Sequence, residues 1–452
     1  MHTWSPDAVF YHIYPLGLCA APAHNDFQAA PCPRLESLIP WADHIQSLGC
    51  NAVYLGPLFE SGTHGYDTAD YYNVDRRLGT RSTLAEVVHA FHQRGIRVVL
   101  DGVFNHVGRD FWAFRDLQAR GPDSPYADWF SGLRFGQPNH RGDPFTYGTW
   151  DGHDTLVKLN LHHPEVRDHL LGAVTQWIQD YDIDGLRLDA ADVVDLDFLQ
   201  SLAAHCRRLR PDFWLMGEVV HGDYARWANP QTLDATTNYE AYKGLYSSLN
   251  DANYFEIAYA LNRQFGSAGL YRGLPLYNFA DNHDVDRVAS RLHNPAHVFP
   301  LYALLFSMPG VPSIYYGSEF GLGGVKGQTD AALRPSLDLA QLAQSAPQPA
   351  LPAFLRQLSE VRRQLPALRR GSYRPAHVAH QQLAFWRELD GQRVLAAFNA
   401  AEETTLTLEL DGCTEGLLQD FLHPGAHFTV QGGRVQLPLP ARGARILLWQ
   451  PR

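Results

Sequence analysis

The sequence predicts an α/β fold: a parallel (β/α)8 barrel of the TIM type, with a small domain inserted after strand 3 and an all-β sandwich domain at the C-terminal end. Three observations predict it. Over the first two thirds of the chain, short apolar strands alternate with amphipathic helices, the pattern of a parallel sheet covered by helices. The alternation supplies eight strand slots, and eight such units over about 250 to 400 residues close into a barrel. From about Ser372 the helical periods give way to short alternating strands. At 452 residues the chain exceeds one small core and suits a large domain with appendages.

The elements follow in order. Val9–Tyr14 reads as the first strand. Arg34–Leu48 is helical and stops at Gly49, and Ala52–Leu55 is the second strand, ending in GPL. Thr83–Gln93 is helical with Gly95 as its stop, followed by the strand Arg97–Leu100. After His106 the periodicity fails until about Leu159, in a stretch rich in Gly, Pro, Asp and aromatics, and insertions of this length usually carry function. Pro164 opens a helix over Glu165–Tyr181, with Val166, Leu170, Val174, Trp177 and Ile178 on one face. Then come strand Gly185–Leu188, helix Asp197–Leu209, strand Phe213–Met216 and a shorter strand near Thr236–Asn238. Strand Leu276–Ala280, helix Val298–Met308 and strand Ser313–Tyr316 complete the set. The barrel is thus expected over 1–106 and 161–367, the inserted domain over 107–160 and the β domain over 368–452. Strands of the last are read at Leu383–Trp386, Val394–Asn399, Thr404–Leu410, Arg434–Leu437 and Ala444–Leu448. The Ala/Gln/Pro-rich stretch Ala340–Pro352 reads as an exposed connection.

Composition narrows the function. The net charge of -11 argues against nucleic acid and anionic membranes, whose phosphates would repel the chain. No run approaches the ~20 apolar residues of a membrane span, and the N-terminus enters a strand without a signal peptide, so a cytoplasmic location is expected. The five cysteines show no CxxC pair and no zinc spacing, which fits reduced thiols, although Cys19 and Cys32 could bridge a loop. Aromatics make up 12% of the residues, a content that suits stacking on sugar rings and a large core alike. His162, His163 and His2 lack partners at metal-binding spacing, so no metal site is read from them.

The chemistry sits in five acidic motifs that end apolar runs: DGVFNH at 101–106, LRLDAAD at 186–192, MGEVV at 216–220, ADNHD at 280–284 and IYYGSE at 314–319. Active residues of a barrel stand at the C-terminal ends of its strands, where each of these lies. A carboxylate there has lost water on one side and needs partners or a function. Asp189, Glu218 and Asp284 are the candidates. A glycosidic bond breaks through an oxocarbenium-like transition state, which requires one protonated carboxyl and one carboxylate, about 5 to 5.5 Å apart in a retaining enzyme. Arg187, two residues before Asp189 on the same strand face, is expected to hold Asp189 ionised as the nucleophile. Glu218 follows Leu215, Met216 and Gly217, an apolar setting expected to raise its pKa for the acid/base role.

Five motifs in this order resemble the α-amylase family, glycoside hydrolase family 13, over about residues 4–450. The resemblance implies Arg187 and the nucleophile Asp189 in LRLDA, the acid/base Glu218, and His283 with the transition-state stabiliser Asp284 in NHD. It implies that His106 bonds the sugar at the cleavage site, while Asp101 and Asn105 brace the loop. GYDTADYY looks like the family's second strand loop, with Tyr66 stacking on the sugar and Asp67 fixing Arg187 or its surroundings. TDAALRP resembles the D-P-x-x-R-R-P segment, placing Asp330 and Arg334 near sugar hydroxyls, with the first Pro and one Arg missing here. Within the family, LVKLN at 156–160 is similar to the MPKLN signature of the neopullulanase, cyclomaltodextrinase and maltogenic amylase group. That group's N-terminal β domain is not expected, since Val9 is already in the first strand, so its dimerisation and a preference for cyclic substrates are not implied. Asp192-Val193 replaces the Lys-His of many amylases. No cofactor is implied; calcium would need more ligands than Asn105 alone.

The expected activity is retaining hydrolysis of α-1,4 bonds in maltooligosaccharides, with cyclodextrins or pullulan as further substrates and some transglycosylation. Alternatives are an α-glucosidase, a 1,6-acting hydrolase or a transglycosylase of the same family. A more distant one is a non-catalytic member acting as a partner protein. The expected partner is an α-glucan oligosaccharide, and the oligomeric state is left open.

Overall fold

The structure, a computed structural model, describes residues 4–452, so His2 lies outside the described residues. Eight parallel strands form the barrel: β1 (Phe10–Ile13), β2 (Ala52–Leu55), β3 (Arg97–Gly102), β4 (Gly185–Leu188), β5 (Trp214–Gly217), β6 (Ala235–Thr236), β7 (Tyr277–Phe279) and β8 (Val311–Tyr315). They are ordered β6-β5-β4-β3-β2-β1-β8-β7, and a parallel bridge between Thr237 and Tyr277 closes the ring.

The pleat decides what points where. Successive side chains alternate between the barrel interior and the surrounding helices. Phe10, Tyr54, Val99, Trp214, Met216, Tyr277 and Phe279 pack together as the inner core. Their neighbours Tyr11, Val53, Leu55, Val98, Leu100, Leu186 and Leu215 join the outer core under the helices. The inward parity of Val99 and Gly185, carried two residues on, brings Asp101 and Arg187 inside.

Six helices follow the first four strands and the sixth: α1 (Ile39–Ser47), α2 (Arg81–His92), α3 (Pro164–Tyr181) and α4 (Leu196–Leu209) after β1 to β4, then α5 (Tyr239–Asn250) and α6 (Phe255–Phe265) after β6. Their ends carry local signals. Thr80 and Thr83 form a reciprocal capping box at α2. Pro164 occupies the first turn of α3, which ends at Asp182 in the left-handed region, φ 56°. Asp195 caps α4 by accepting from the Phe198 N–H. After β7 come α7 (Val298–Ser307), α8 (Leu351–Gln364) and α9 (Pro366–Arg370).

Three sequence expectations are corrected. The segment between Asn238 and Leu276, left without elements, holds α5 and α6. The stretch 340–352, read as a connection, lies largely in a helix Leu339–Gln344 and the start of α8. Asp338 caps the first by accepting from the Gln341 N–H, and Pro352 sits in the first turn of the second, where its missing N–H costs nothing. All five cysteines are free, so Cys19 and Cys32 do not bridge.

In the insertion, His106–Gly108 pairs antiparallel with His153–Lys158, placing His106 opposite Lys158, and Thr149–Trp150 pairs on the far side. The LVKLN segment is therefore a strand that lies directly against the loop bearing His106. Beyond α9, a six-stranded antiparallel sheet contains β9 (Ser372–Val378), β10 (Gln382–Leu389), β11 (Gln392–Asn399), β13 (Gly416–Asp420), β14 (His427–Val430) and β16 (Gly443–Pro451). A two-stranded sheet of β12 (Thr404–Glu409) and β15 (Arg434–Leu439) packs with it around Trp386, Leu395, Leu418 and Leu437. The edge strand β9 escaped the sequence reading because it carries Pro375, which an edge position and a register shift accommodate.

Trp177 of α3 anchors the outer core: it is fully buried, stacks on Phe59 with centroids 4.0 Å apart, and donates from Nε1 to the Tyr71 carbonyl at 2.8 Å. Trp177→Ala is expected to destabilise the protein by about 3–5 kcal/mol, read by denaturant unfolding. A loss under about 1 kcal/mol would show that this contact is not part of the core.

Candidate active site

The carboxyl ends of β3, β4 and β5 meet in one cluster. Register sets it: Arg187 of β4 lies opposite Asp101 of β3 and Met216 of β5. Just past the strand ends, Asp189 donates its N–H to the Gly102 carbonyl at 3.0 Å, and Glu218 donates to the Leu188 carbonyl at 2.9 Å. The backbone thus anchors both acidic residues to the neighbouring strand before any side chain acts.

The buried Arg187 guanidinium joins three carboxylates. Nη1 donates to Asp101 at 3.0 and 3.2 Å and to Asp189 Oδ1 at 3.0 Å, while Nη2 stands 2.8 Å from Glu218 Oε2. Burial pulls the guanidinium down, but the Asp101 and Glu218 carboxylates outweigh it and hold Arg187 well above its ordinary range. Glu218 Oε2 also accepts from the Ala190 N–H at 3.1 Å. Ala190 is left-handed, φ 45°, a conformation that costs a non-glycine residue energy and that accompanies this turn toward Glu218.

Two expectations change here. Asp67 does not bond Arg187 itself but holds the loop around it: it accepts from the Thr63 hydroxyl at 2.8 Å and the Gly65 N–H at 3.2 Å, in the loop whose Tyr66 ring lies 5.9 Å from the Arg187 guanidinium. Asp101 is the residue that pairs with Arg187, because the register puts the two side by side inside the barrel. Asp101 also accepts from the Tyr54 hydroxyl at 2.6 Å and the Tyr66 hydroxyl at 3.1 Å. Glu218, for its part, is not in an apolar setting but against a guanidinium. The lifted group is Asp189, which burial pushes well above the usual carboxylate range against Arg187, with the charges of Glu218 and Asp101 adding to the rise.

A second group stands at the ends of β7 and β8. Arg334 Nη2 bridges Asp284 Oδ1 and Asp330 Oδ2, both at 2.8 Å, and its Nε donates to the His283 carbonyl at 3.0 Å. His283 Nε2 lies 3.0 Å from Asp284 Oδ2 and contacts the Tyr66 hydroxyl, and the Tyr66 ring stacks on the imidazole, centroids 5.5 Å apart. Burial raises the Asp284 carboxyl, but His283, Arg334 and Arg187 overcome it and hold it well below the ordinary range. Two carboxylates in one site are therefore pushed in opposite directions, the arrangement expected of groups with different tasks.

His106 completes the wall. Its Nε2 is buried, has no hydrogen-bond partner and points within 3.9 Å of Asp189 Oδ2. Burial, then the nearby His64, pulls it down to about 4, so at neutral pH this is a neutral imidazole and no ion pair. Asn105 Oδ1 is also buried without a partner, yet among the described residues no group of three or more His, Cys, Asp or Glu could hold a metal ion.

The structure thus gathers Tyr66, His106, Arg187, Asp189, Glu218, His283, Asp284, Asp330 and Arg334 at one end of the barrel, with Asp67 on the loop behind. Sequence reasoning missed Tyr54, Tyr14 and Trp150. Tyr54 follows from inward parity in β2, and Tyr14 directly follows β1, where its ring receives the Arg334 guanidinium at 4.6 Å. Trp150, 5.6 Å from His106 and stacked on His153, carries no signal in the sequence, since only pairing of the inserted strands brings it there.

The charge of Glu218 is one of the forces that lift Asp189. In Glu218→Gln that force is gone, so Asp189 stays ionised to lower pH. The acid limb of residual kcat/KM on an activated aryl glycoside, which needs no acid for departure, is expected to move downward from the wild-type limb. An unmoved limb would show that the two carboxyls are not coupled.

A family model described as the α-amylase catalytic domain matches residues 34–350. A cyclomaltodextrinase from a Bacillus species is 33% identical over 88% of this chain and 73% of its own length. Among solved structures, the cyclic α-maltosyl-(1→6)-maltose hydrolase of Arthrobacter globiformis superimposes with a TM-score of 0.83 and 29% identity, covering 98% of this chain and 99% of that one. The debranching enzyme of Nostoc punctiforme gives a TM-score of 0.83 at 28% identity, covering 99% of this chain and 100% of its own.

Proposed function

The chain belongs to the α-amylase family of glycoside hydrolases, and on that premise we propose that it cleaves α-1,4 bonds of linear and cyclic maltooligosaccharides with retention at the anomeric carbon. The observation that carries the reading is the single guanidinium of Arg187 holding Asp189 and Glu218 together, with Asp284 opposite them in a separate, cation-rich setting.

Three carboxylates around one guanidinium leave a net negative charge in a buried place, so the Asp189–Glu218 pair keeps a proton between them. With that proton on Glu218, one of the charges that add to the rise of Asp189 disappears, and Arg187 opposes the burial that remains, so that Asp189 attacks as the carboxylate. Glu218 then protonates the departing glycosidic oxygen as Asp189 Oδ attacks the anomeric carbon. The bond to the leaving sugar breaks and a glycosyl–Asp189 ester forms. Water, deprotonated by Glu218, attacks the same carbon from the vacated face, releasing the sugar and returning the proton to Glu218. A sugar hydroxyl in place of water gives transglycosylation by the same step.

Asp284, kept ionised by His283 and Arg334, faces the developing positive charge. His106 offers a neutral imidazole to a sugar hydroxyl, Tyr66 offers its ring, and Asp330 and Arg334 take more distant hydroxyls. Asp101 and Asp67 position their surroundings without touching substrate. The donors are all protein side chains, and the reading requires no cofactor. The cyclic substrates are favoured by the LVKLN segment against the His106 loop and by likeness to a cyclomaltodextrinase and to a hydrolase of cyclic α-maltosyl-(1→6)-maltose. No helix among the described residues is long and apolar enough to cross a membrane, and we place the enzyme in the cytoplasm, where free thiols persist.

Asp189→Asn and Glu218→Gln are expected to lower kcat on maltotriose by several orders of magnitude with the unfolding midpoint kept near wild type. Wild-type rates in either variant would remove the mechanism. In parallel digests of maltotriose, β-cyclodextrin and pullulan, maltose from the cyclic substrate supports the assignment. Glucose from maltotriose with an untouched cyclic substrate would point to an α-glucosidase instead.

A further inference from the structure

The barrel face opposite the catalytic carboxylates is built from the amino-terminal ends of its strands. Pro6 precedes β1, Leu274 and Pro275 lead into β7, and Pro309 and Gly310 lead into β8. Against these packs the junction from α9 into β9, with Arg387 reaching in from β10. Together they line a cavity of about 640 Å3. Its lining holds four arginines, Arg272, Arg369, Arg370 and Arg387, and among the described residues no Asp or Glu. This concentration of positive charge stands in a chain whose net charge is -11.

Two of the four arginines meet a carboxylate and the other two, Arg272 and Arg387, donate to carbonyls. Arg369 and Arg370 both turn to Asp7, at 2.7 and 2.6 Å. Arg387, buried, donates to the carbonyls of Ser307, Leu368, Gly371 and Ser372. Arg272, exposed at the rim, donates to the Ser267 carbonyl. Carbonyls satisfy hydrogen bonds without cancelling a full charge. Arg362, also buried, binds the carbonyls of Phe306, Gly310 and Leu368 and adds its charge to the same region. Burial and then the Arg362 charge pull Arg387 down to about 9, the response of a cation short of counter-charge.

A second observation is independent of charge. Tyr373 lines this cavity, is 4% exposed, and its hydroxyl has no hydrogen-bond partner. Buried hydroxyls are nearly always paired, and this one is a neutral donor beside a basic wall.

We propose that this cavity binds a phosphate dianion, free or as a small sugar phosphate, with Arg272 and the Tyr373 hydroxyl donating to its oxygens and Arg387 supplying charge from behind. The planar guanidinium suits phosphate oxygens, and a neutral tyrosine completes the shell. Because Tyr373 and Arg387 come from the β domain and Arg272 from the barrel, the anion clamps the two together. Its effect falls on stability and not on the remote chemistry.

The test is calorimetric titration of the full chain with inorganic phosphate, with unfolding midpoints measured in phosphate and in sodium chloride of equal ionic strength. Saturable binding and a midpoint raised by about 1–3 °C beyond chloride are expected. Arg272→Gln, at an exposed position, and Tyr373→Phe, which removes only the hydroxyl, should each weaken phosphate by roughly tenfold and leave kcat/KM on maltotriose unchanged. Tighter binding of glucose 1-phosphate than of phosphate would identify an ester as the ligand, and equal binding the free ion. No effect beyond chloride, or unaltered affinity in both variants, overturns the proposal.

Discussion

The site depends on one buried cation. Arg187 touches Asp101, Asp189 and Glu218, and each contact is available only because β3, β4 and β5 run in a fixed parallel register. Slip one strand by a residue and Asp101 would point at the helices. Asp101, fully enclosed by Tyr54, Tyr66 and Arg187, has no oxygen to spare for substrate. Its place is to answer the guanidinium from behind, so that the front of the fork is left for the two reacting carboxyls. Removing Arg187 itself would leave three carboxylates facing one another in a buried place, at a cost of about 3–5 kcal/mol.

A second cationic group keeps the third carboxylate apart. Arg334 and His283 hold Asp284 low, whereas burial and its neighbours lift Asp189. The same fold end thus offers one carboxyl pushed up and one held low. The retaining reaction needs both, and their separation arises from which cations the strand-end loops deliver, not from any difference between aspartates.

The barrel was legible because its outer and inner faces both bury apolar residues, so strands read as short apolar runs between helices. The carboxylate motifs were legible because they end those runs. What sequence reading lost is of two kinds. The start of α8 and the edge strand β9 hid behind Pro352 and Pro375, which mark breaks in isolation and an element start or an edge in place, while α5, α6 and the helix Leu339–Gln344 were passed over. The electrostatic assignments failed for a different reason: partners across strands do not appear in local sequence. Asp67 bonds within its own loop while register sets Asp101 beside Arg187, and Glu218 follows apolar residues yet meets a guanidinium from the neighbouring strand. Trp150 came within reach of His106 only through pairing in the insertion.

The central claim is that Asp189 attacks the anomeric carbon while Glu218 handles the proton. Incubating the enzyme with a 5-fluoro-α-glucosyl fluoride and mapping the product by peptide mass spectrometry tests it most directly. A glycosyl adduct on the peptide bearing Asp189, absent from the Asp189→Asn variant, is predicted. An adduct on another carboxylate, or turnover with inversion and no adduct, would contradict the account.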